Sequence, residues 1–345
     1  MYPETESEMK RPLTAALLSL SLLAGPGLAN GSYAQREAAI EFVRAMQEKH
    51  GFDSGELLAV LDRARHDPRV IQLIRPPSSP GVRSWQRYRA RFLESRRIES
   101  GLTFWQEHRD TLQAASDRYG VPPEIIVAII GVETFYGRNT GNFETVSALA
   151  TLAFDYPPRA PLFLRELEHL FLLAREQGRD PSSYHGSYAG ALGYPQFLPS
   201  SVRSYAVDFD GNGQVDFDNE PADAIGSVAH YLAQHGWARD EPVAVPALLA
   251  PESDPRTLVD AGIEPVLTPE QLTQAGVTPA SADPHPAPAT LVDLASPGEE
   301  TEYWLGYRNF YVITRYNKSS FYAMAVFELA RALRERHTPA TATAQ

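Results

Sequence analysis

The sequence predicts a mainly α (α+β) protein, and three observations carry that expectation. Apolar residues recur at helical spacing through residues 34–120 and again from Val121 to about Trp237. Residues 241–300 then change character: they hold 11 of the chain's 28 prolines, with short β-prone pieces such as Ala289–Leu294 between turns. From Ser319 to about Arg336 the helical pattern returns. With 345 residues, 43% of them apolar, the chain can bury a sizeable core. A formal net charge of −12 argues against a general polyanion binder, so no nucleic-acid partner is expected. The absence of cysteine rules out disulfides, thiolate metal sites and cysteine nucleophiles.

In chain order, residues 1–34 read as an export signal: Lys10 and Arg11, the apolar run Leu13 to Ala24, the break at Pro26-Gly27, and cleavage after Ala29 or Ala34. The expected location is the periplasm, with no lipid-anchor cysteine at the boundary. Residues 35–120 form a flanking helical domain, marked by Ala38, Phe42, Ala45 and Met46 and by Leu57, Leu58 and Leu61, and joined by the C-terminal helix 319–337. A loop at 75–81 precedes VRSWQRYRARFLESRRI, which mixes arginines with Trp85, Tyr88 and Phe92. In so acidic a chain this reads as an amphipathic helix with a solvated basic face. Residues 121–240 are the helical core. Residues 241–312 are a small inserted β-rich subdomain, running into strand-like sequence at Tyr303–Thr314. Residues 313–337 return to the core and helical domain, and 338–345 are a disordered tail. No internal repeat is visible.

The core opens on Val121-Pro122-Pro123-Glu124, since proline suits a first helical turn and Glu124 favours the positive end of the dipole. Ile125, Ile129, Val132 and Tyr136 share a face, and Glu133 projects from the edge of that stripe. Gly137, Asn139 and Gly141 are expected to end the helix. A carboxylate against apolar side chains pays for desolvation of its charged form, so its pKa rises and a proton stays available near neutrality for acid catalysis. The alternative is a structural glutamate paired with Arg138 or another arginine. Two further stretches bear on this, the first with groups that suit a polyol ligand, though a glycine-rich turn explains it equally well. SYAGALGYPQFLPSS, residues 187–201, supplies Ser187, Tyr194 and Gln196 between glycines. TRYNKSSFYAMAV, residues 314–326, brings two tyrosines and an asparagine to a helix entry.

In VDFDGNGQVDFDNEPADAIG, Asp208, Asp210, Asn212 and Gly213 take positions 1, 3, 5 and 6 of an EF-hand-like loop, and Gln214 would give its carbonyl at position 7. Oxygen ligands at alternate positions wrap a hard cation, here Ca²⁺ in a structural role. Position 12 is Asn219 where the bidentate glutamate should stand, so Asp223 is favoured as the last ligand and Glu220 is second.

Taken together, GVETFYGRNTGNFETVSALATLAFDYPPR, SYAGALGYPQFLPSS, DAIGSVAHYLAQHGW and NFYVITRYNKSSFYAMAV, with WQRYRARF and GLTFW upstream, resemble the lytic murein transglycosylases of the membrane-bound B type over roughly residues 35–335. The resemblance implies a lysozyme-like helical core, a flanking helical domain and a small β domain. It also implies cleavage of the MurNAc–GlcNAc β-1,4 bond of peptidoglycan with a 1,6-anhydro-MurNAc end. Carried over motif by motif, Glu133 would be the catalytic acid and base. Ser187 and Gln196 would line the saccharide site, and Tyr316, Asn317 and Tyr322 would contact the glycan. Tyr88 and Tyr231 would be sugar-contacting aromatics, and Arg159 would keep one of two arginine contacts. Where relatives often read Tyr-Pro-Arg-Arg, this chain has Tyr156-Pro157-Pro158-Arg159. His230 replaces a usual asparagine, and Leu192 and Leu198 replace common methionines. The implied partners are peptidoglycan glycan strands and cell-wall synthesis proteins, with the protein itself a monomer. Two other readings are a lysozyme-type hydrolase, with Asp155 activating water, and a non-catalytic peptidoglycan-binding protein.

Overall fold

The computed structural model describes residues 32–76, 81–281 and 283–337. The expected signal segment up to residue 31 and the tail 338–345 lie outside the described residues.

Helices dominate, as the periodicity predicts. The first three, Glu37–His50, Ser54–Arg63 and Pro68–Ile74, are punctuated by local chemistry. Gly51 ends the first in the left-handed region, Asp53 accepts from the Glu56 N–H, and Asp67 accepts from the Arg69 N–H. Helices Ser95–Glu107 and Arg109–Tyr119 follow, and Pro123–Thr134 lies at the centre. Every residue from Ile125 to Gly131 is buried. The single apolar stripe expected there is therefore replaced by burial all round, the pattern of a helix enclosed by others. Its neighbours include Ser95–Glu107, Pro221–Gln234 and the helix Ser320–His337, so segments far apart in sequence meet on it. Thr145–Asp155 packs on Ala160–Gln177, which in turn carries Pro199–Tyr205.

Two small sheets complete the fold. Strand β1 (Phe143–Glu144) pairs antiparallel with β2 (His185–Gly186). Strands β3 (Ala244–Leu249), β4 (Val277–Pro279), β5 (Thr290–Leu294) and β6 (Glu302–Gly306) form an antiparallel sheet in the order β4-β3-β6-β5. Alternation splits its two faces. Val292, Leu294 and Trp304 join the main core, while Leu291 and Leu305 join Leu272, Val277, Ala289 and Tyr307 in a second, smaller one.

The strand-like reading of Tyr303–Thr314 is corrected at its second half: β6 ends at Gly306, and Arg308–Tyr316 is a helix. Its aromatic and β-branched residues have strand propensity, which tertiary context overrides. The fully buried Asn309 accepts from the Ala238 N–H and donates to the carbonyls of Ala238 and Glu241, fixing the first turn. Phe310, Val312 and Ile313 are then wholly enclosed.

Candidate active site around Glu133

Glu133 is the penultimate residue of the Pro123–Thr134 helix. That helix stops sooner than its glycines suggest: Phe135 and Tyr136, at φ 53° and 59°, already occupy the left-handed region. For residues with a Cβ this conformation costs about 1–2 kcal/mol each, and the surroundings hold it. The Thr134 hydroxyl donates to the Tyr194 carbonyl at 3.0 Å and accepts from the Gly137 N–H at 3.0 Å. The Tyr136 ring fits at Gly101 and Gly131, where an added Cβ would stand 2.3 and 2.6 Å from its hydroxyl. Arg97 donates to the Gly131 carbonyl and lies 4.6 Å from the centre of the Phe135 ring.

The Glu133 carboxyl accepts a hydrogen bond from the Tyr322 hydroxyl at 2.6 Å. The residue keeps some surface, but protein packs densely around its carboxyl. Burial pushes it up to about 7, with the Tyr322 hydrogen bond pulling the other way. Arg138 does not pair with it; that guanidinium lies 5.1 Å from the centre of the Phe135 ring. The groups that feel the Glu133 charge are tyrosines. Tyr316 and Tyr322 are raised well above the ordinary phenol value, and Tyr88 is raised, first by burial and then by Glu133. The Tyr316 and Tyr322 rings are nearly parallel with centres 6.5 Å apart.

The 186–197 loop is stitched to this centre. Gln196 donates from Nε2 to the Thr140 carbonyl at 3.0 Å, and Tyr316 donates to the Pro195 carbonyl at 2.6 Å. The Ser187 hydroxyl accepts from the Ala191 N–H at 3.1 Å, while its backbone N–H abuts Gly141. Gly137 leaves room for the Tyr194 ring, which a Cβ would strike at 2.1 Å. Tyr194 thus supports the helix end by both its carbonyl and its ring. The sequence reading treated it only as a polar group for a ligand; no periodicity reveals a support of this kind. Ser187, Tyr88, Gln196 and Tyr316 are all partly exposed, as Glu133 is.

Three other residues of the expected set have these surroundings. Tyr231 is 8% exposed, donates to the Arg315 carbonyl at 2.7 Å, and is enclosed by Tyr205, His235, Phe197 and Tyr316. It supports Tyr316 from behind and has little surface to offer a sugar. Arg159 is exposed, 5.3 Å from the centre of the Phe163 ring. Asn317 is exposed at the end of the Arg308–Tyr316 helix, its carbonyl accepting from the Ser319 N–H. Asp155 is committed elsewhere: it accepts from Tyr33 at 2.7 Å and pairs with Arg36 at 2.5 Å and His66 at 2.8 Å. Among the described residues, no second carboxylate acts on Glu133.

In the acidic loop, Asp208, Asp210 and Asp223 each bring a carboxylate oxygen within 4.8 Å of the others. Backbone N–H groups of Gly211, Asn212 and Gly213 converge on Asp208, and that of Gly213 is the main cause holding its carboxyl below the usual range. Asp223 is fully buried and accepts from the Phe209 and Asp216 N–H groups. Burial raises it, and the Asp210 charge adds to that. Asn212 Oδ1 accepts from the Gln214 N–H, whereas Glu220 is the exposed residue before the Pro221–Gln234 helix and lies outside the cluster. Three converging carboxylates suit a hard divalent ion.

The transglycosylase SLT domain family matches residues 34–331. The membrane-bound lytic murein transglycosylase B of Escherichia coli (strain K12) is 43% identical over 312 residues, covering 88% of this chain and 84% of that protein. The structure of the Escherichia coli lytic transglycosylase Slt35 in complex with calcium superposes with a TM-score of 0.80 at 42% identity, over 89% of this chain and 96% of that one. SltB3 of Pseudomonas aeruginosa in complex with NAG-anhNAM-pentapeptide gives 0.74 at 28%, over 86% and 78%. The mainly helical, lysozyme-like architecture is shared, and the chain belongs to the SLT-domain lytic transglycosylases, enzymes that cleave glycosidic bonds in peptidoglycan.

Proposed function

We propose that this enzyme cleaves the MurNAc-β-1,4-GlcNAc bond with a single carboxylate, leaving a 1,6-anhydro-MurNAc end. The observation that carries the reading is the Glu133 carboxyl, hydrogen-bonded by Tyr322 and pushed up to about 7 by burial. Near neutrality a large share of it keeps its proton. Protonated Glu133 donates to the glycosidic oxygen as the C1–O bond breaks, and the substrate's 2-acetamido carbonyl oxygen bonds to C1. The Glu133 carboxylate then takes the proton from the C6 hydroxyl, whose oxygen closes on C1 and displaces the acetamido oxygen. The cycle ends with Glu133 protonated and no water consumed. It is an exception to the two-carboxylate rule for glycosidases. Intramolecular closure has a high effective concentration, and exclusion of water protects it. Tyr322 orients the carboxyl. Ser187, Gln196, Tyr316 and Tyr88 are the groups placed to meet the glycan. The anhydro sugar named in the SltB3 complex is the product this chemistry requires.

A hydrolase needs a second carboxylate to activate water, and the three partners of Asp155 tell against it in that part. Digestion of peptidoglycan in H₂¹⁸O, followed by mass spectrometry, separates the two. Anhydro ends without ¹⁸O are expected; reducing ends carrying ¹⁸O would contradict the reading.

The Slt35 calcium complex and the carboxylate cluster support Ca²⁺ at Asp208, Asp210 and Asp223, with Asn212 and the Gln214 carbonyl beside them, in a structural role. Calcium there would tie the loop to the Pro221–Gln234 helix; no step of the reaction runs through it. The substrate and the signal-like first residues support action in the periplasm, on glycan strands.

A further inference from the structure

Tyr88 stands on a helix of five residues, Trp85–Arg89. So short a helix does not persist alone, because nucleation fixes several residues before hydrogen bonds accumulate. Its first N–H groups also need acceptors from outside the helix. Two of them find these at the end of β5. Trp85 N–H donates to the Ala295 carbonyl at 2.9 Å, and Gln86 N–H donates to the Ser296 hydroxyl at 3.0 Å. The third, Arg87 N–H, reaches Ser84 Oγ at 3.4 Å. Just upstream, Arg83 donates to the Asp293 carboxylate and, at 3.0 Å, to the Asp293 carbonyl. Phe321, next to Tyr322, closes the other side. Its ring centre is 5.3 Å from that of Trp85, 5.7 Å from that of Tyr88 and 4.5 Å from the Arg83 guanidinium.

We propose that the four-stranded sheet is a positioning platform, its β5 end setting through Asp293, Ala295 and Ser296 where Tyr88 stands against Phe321, the neighbour of the Glu133 partner Tyr322, and so how tightly glycan binds. This rests on Tyr88 being a substrate contact. The sheet touches no reacting atom; it acts through the Trp85–Arg89 helix. The Arg83–Asp293 pair is open to solvent, with side chains 47% and 21% exposed, so it adds little to stability. Its consequence is geometric: it fixes the strap that leads into the helix.

The test is steady-state kinetics on a soluble MurNAc–GlcNAc oligomer with the full chain. Asp293→Ala combined with Ser296→Ala is expected to raise KM about fivefold, with kcat changed by less than about twofold and an almost unchanged thermal midpoint. Ser296→Thr, which keeps the hydroxyl, should behave as wild type. In a Tyr88→Ala background the double substitution should add nothing further, because its effect passes through that ring. An equal further rise in KM in that background, or a fall in kcat at constant KM, would overturn the platform. If Tyr88→Ala raises KM while the double substitution is silent, the platform fails and Tyr88 keeps its role. If Tyr88→Ala leaves KM unchanged, both fail.

Discussion

Glu133 is placed so that its own folding works against its charge. The folded protein holds its carboxyl at about 7 against an ordinary 4.5. Between those values the folded state binds more protons than the unfolded one, so stability falls as pH rises through that window. The loss is complete above pH 7 and amounts to about 3 kcal/mol. Glu133→Gln has no such proton to lose. Urea denaturation at pH 5 and pH 8 should therefore show the variant gaining on wild type by about 2.5 kcal/mol across that interval. Parallel curves would contradict it. The same substitution should abolish turnover while leaving glycan binding largely intact.

At the scale of elements, the site is a helix end fastened to a loop. The glycines of that loop are spatial necessities. Gly193 has φ 56°, and a Cβ there would stand 2.4 Å from the backbone carbonyl oxygen of Phe217, which cannot swing aside. Gly193→Ala is expected to cost more than about 2 kcal/mol by strain and clash together, read as a lowered denaturation midpoint. Much of this scale was legible in the sequence. The prolines announced the start of the Pro123–Thr134 helix, and its apolar residues announced the burial that raises Glu133. What stayed hidden depends on contacts between distant segments. Phe135 and Tyr136 carry a conformation that favours glycine, because Thr134, Tyr194, Arg97 and two glycine notches hold them. Arg308–Tyr316 looks like a strand until Asn309 finds its partners around Ala238. The Tyr231 hydroxyl donates to the Arg315 carbonyl, far along the sequence, which no local pattern announces.

At the scale of the whole molecule, the first and last described segments are both held by residues from the middle of the sequence. Tyr33, 1% exposed, donates to Asp155, and the Ser320–His337 helix delivers Tyr322 to Glu133. Of the two cleavage positions expected for the signal segment, the one after Ala29 retains this Tyr33 anchor and the one after Ala34 removes it. The acidic loop ties in another direction, the Phe209 and Asp216 N–H groups donating to Asp223 inside a core helix. Calcium binding there should raise the thermal midpoint in proportion to ln(1 + [Ca²⁺]/Kd). Asp223→Asn should remove that rise while kcat, measured well below the midpoint, stays near wild type. A calcium-independent midpoint in the wild-type protein would contradict the site.

The central claim is a proton held on Glu133 near neutral pH, and carboxyl-¹³C NMR reads it directly. With ¹³C-labelled glutamate, the resonance lost in Glu133→Gln should titrate with a midpoint near 7 in the wild-type protein. In Tyr322→Phe the midpoint should move higher, since the hydrogen bond that favours the ionised form is gone. A wild-type midpoint at the ordinary carboxylate value of 4.5 would leave no acid for the first step and would contradict the account.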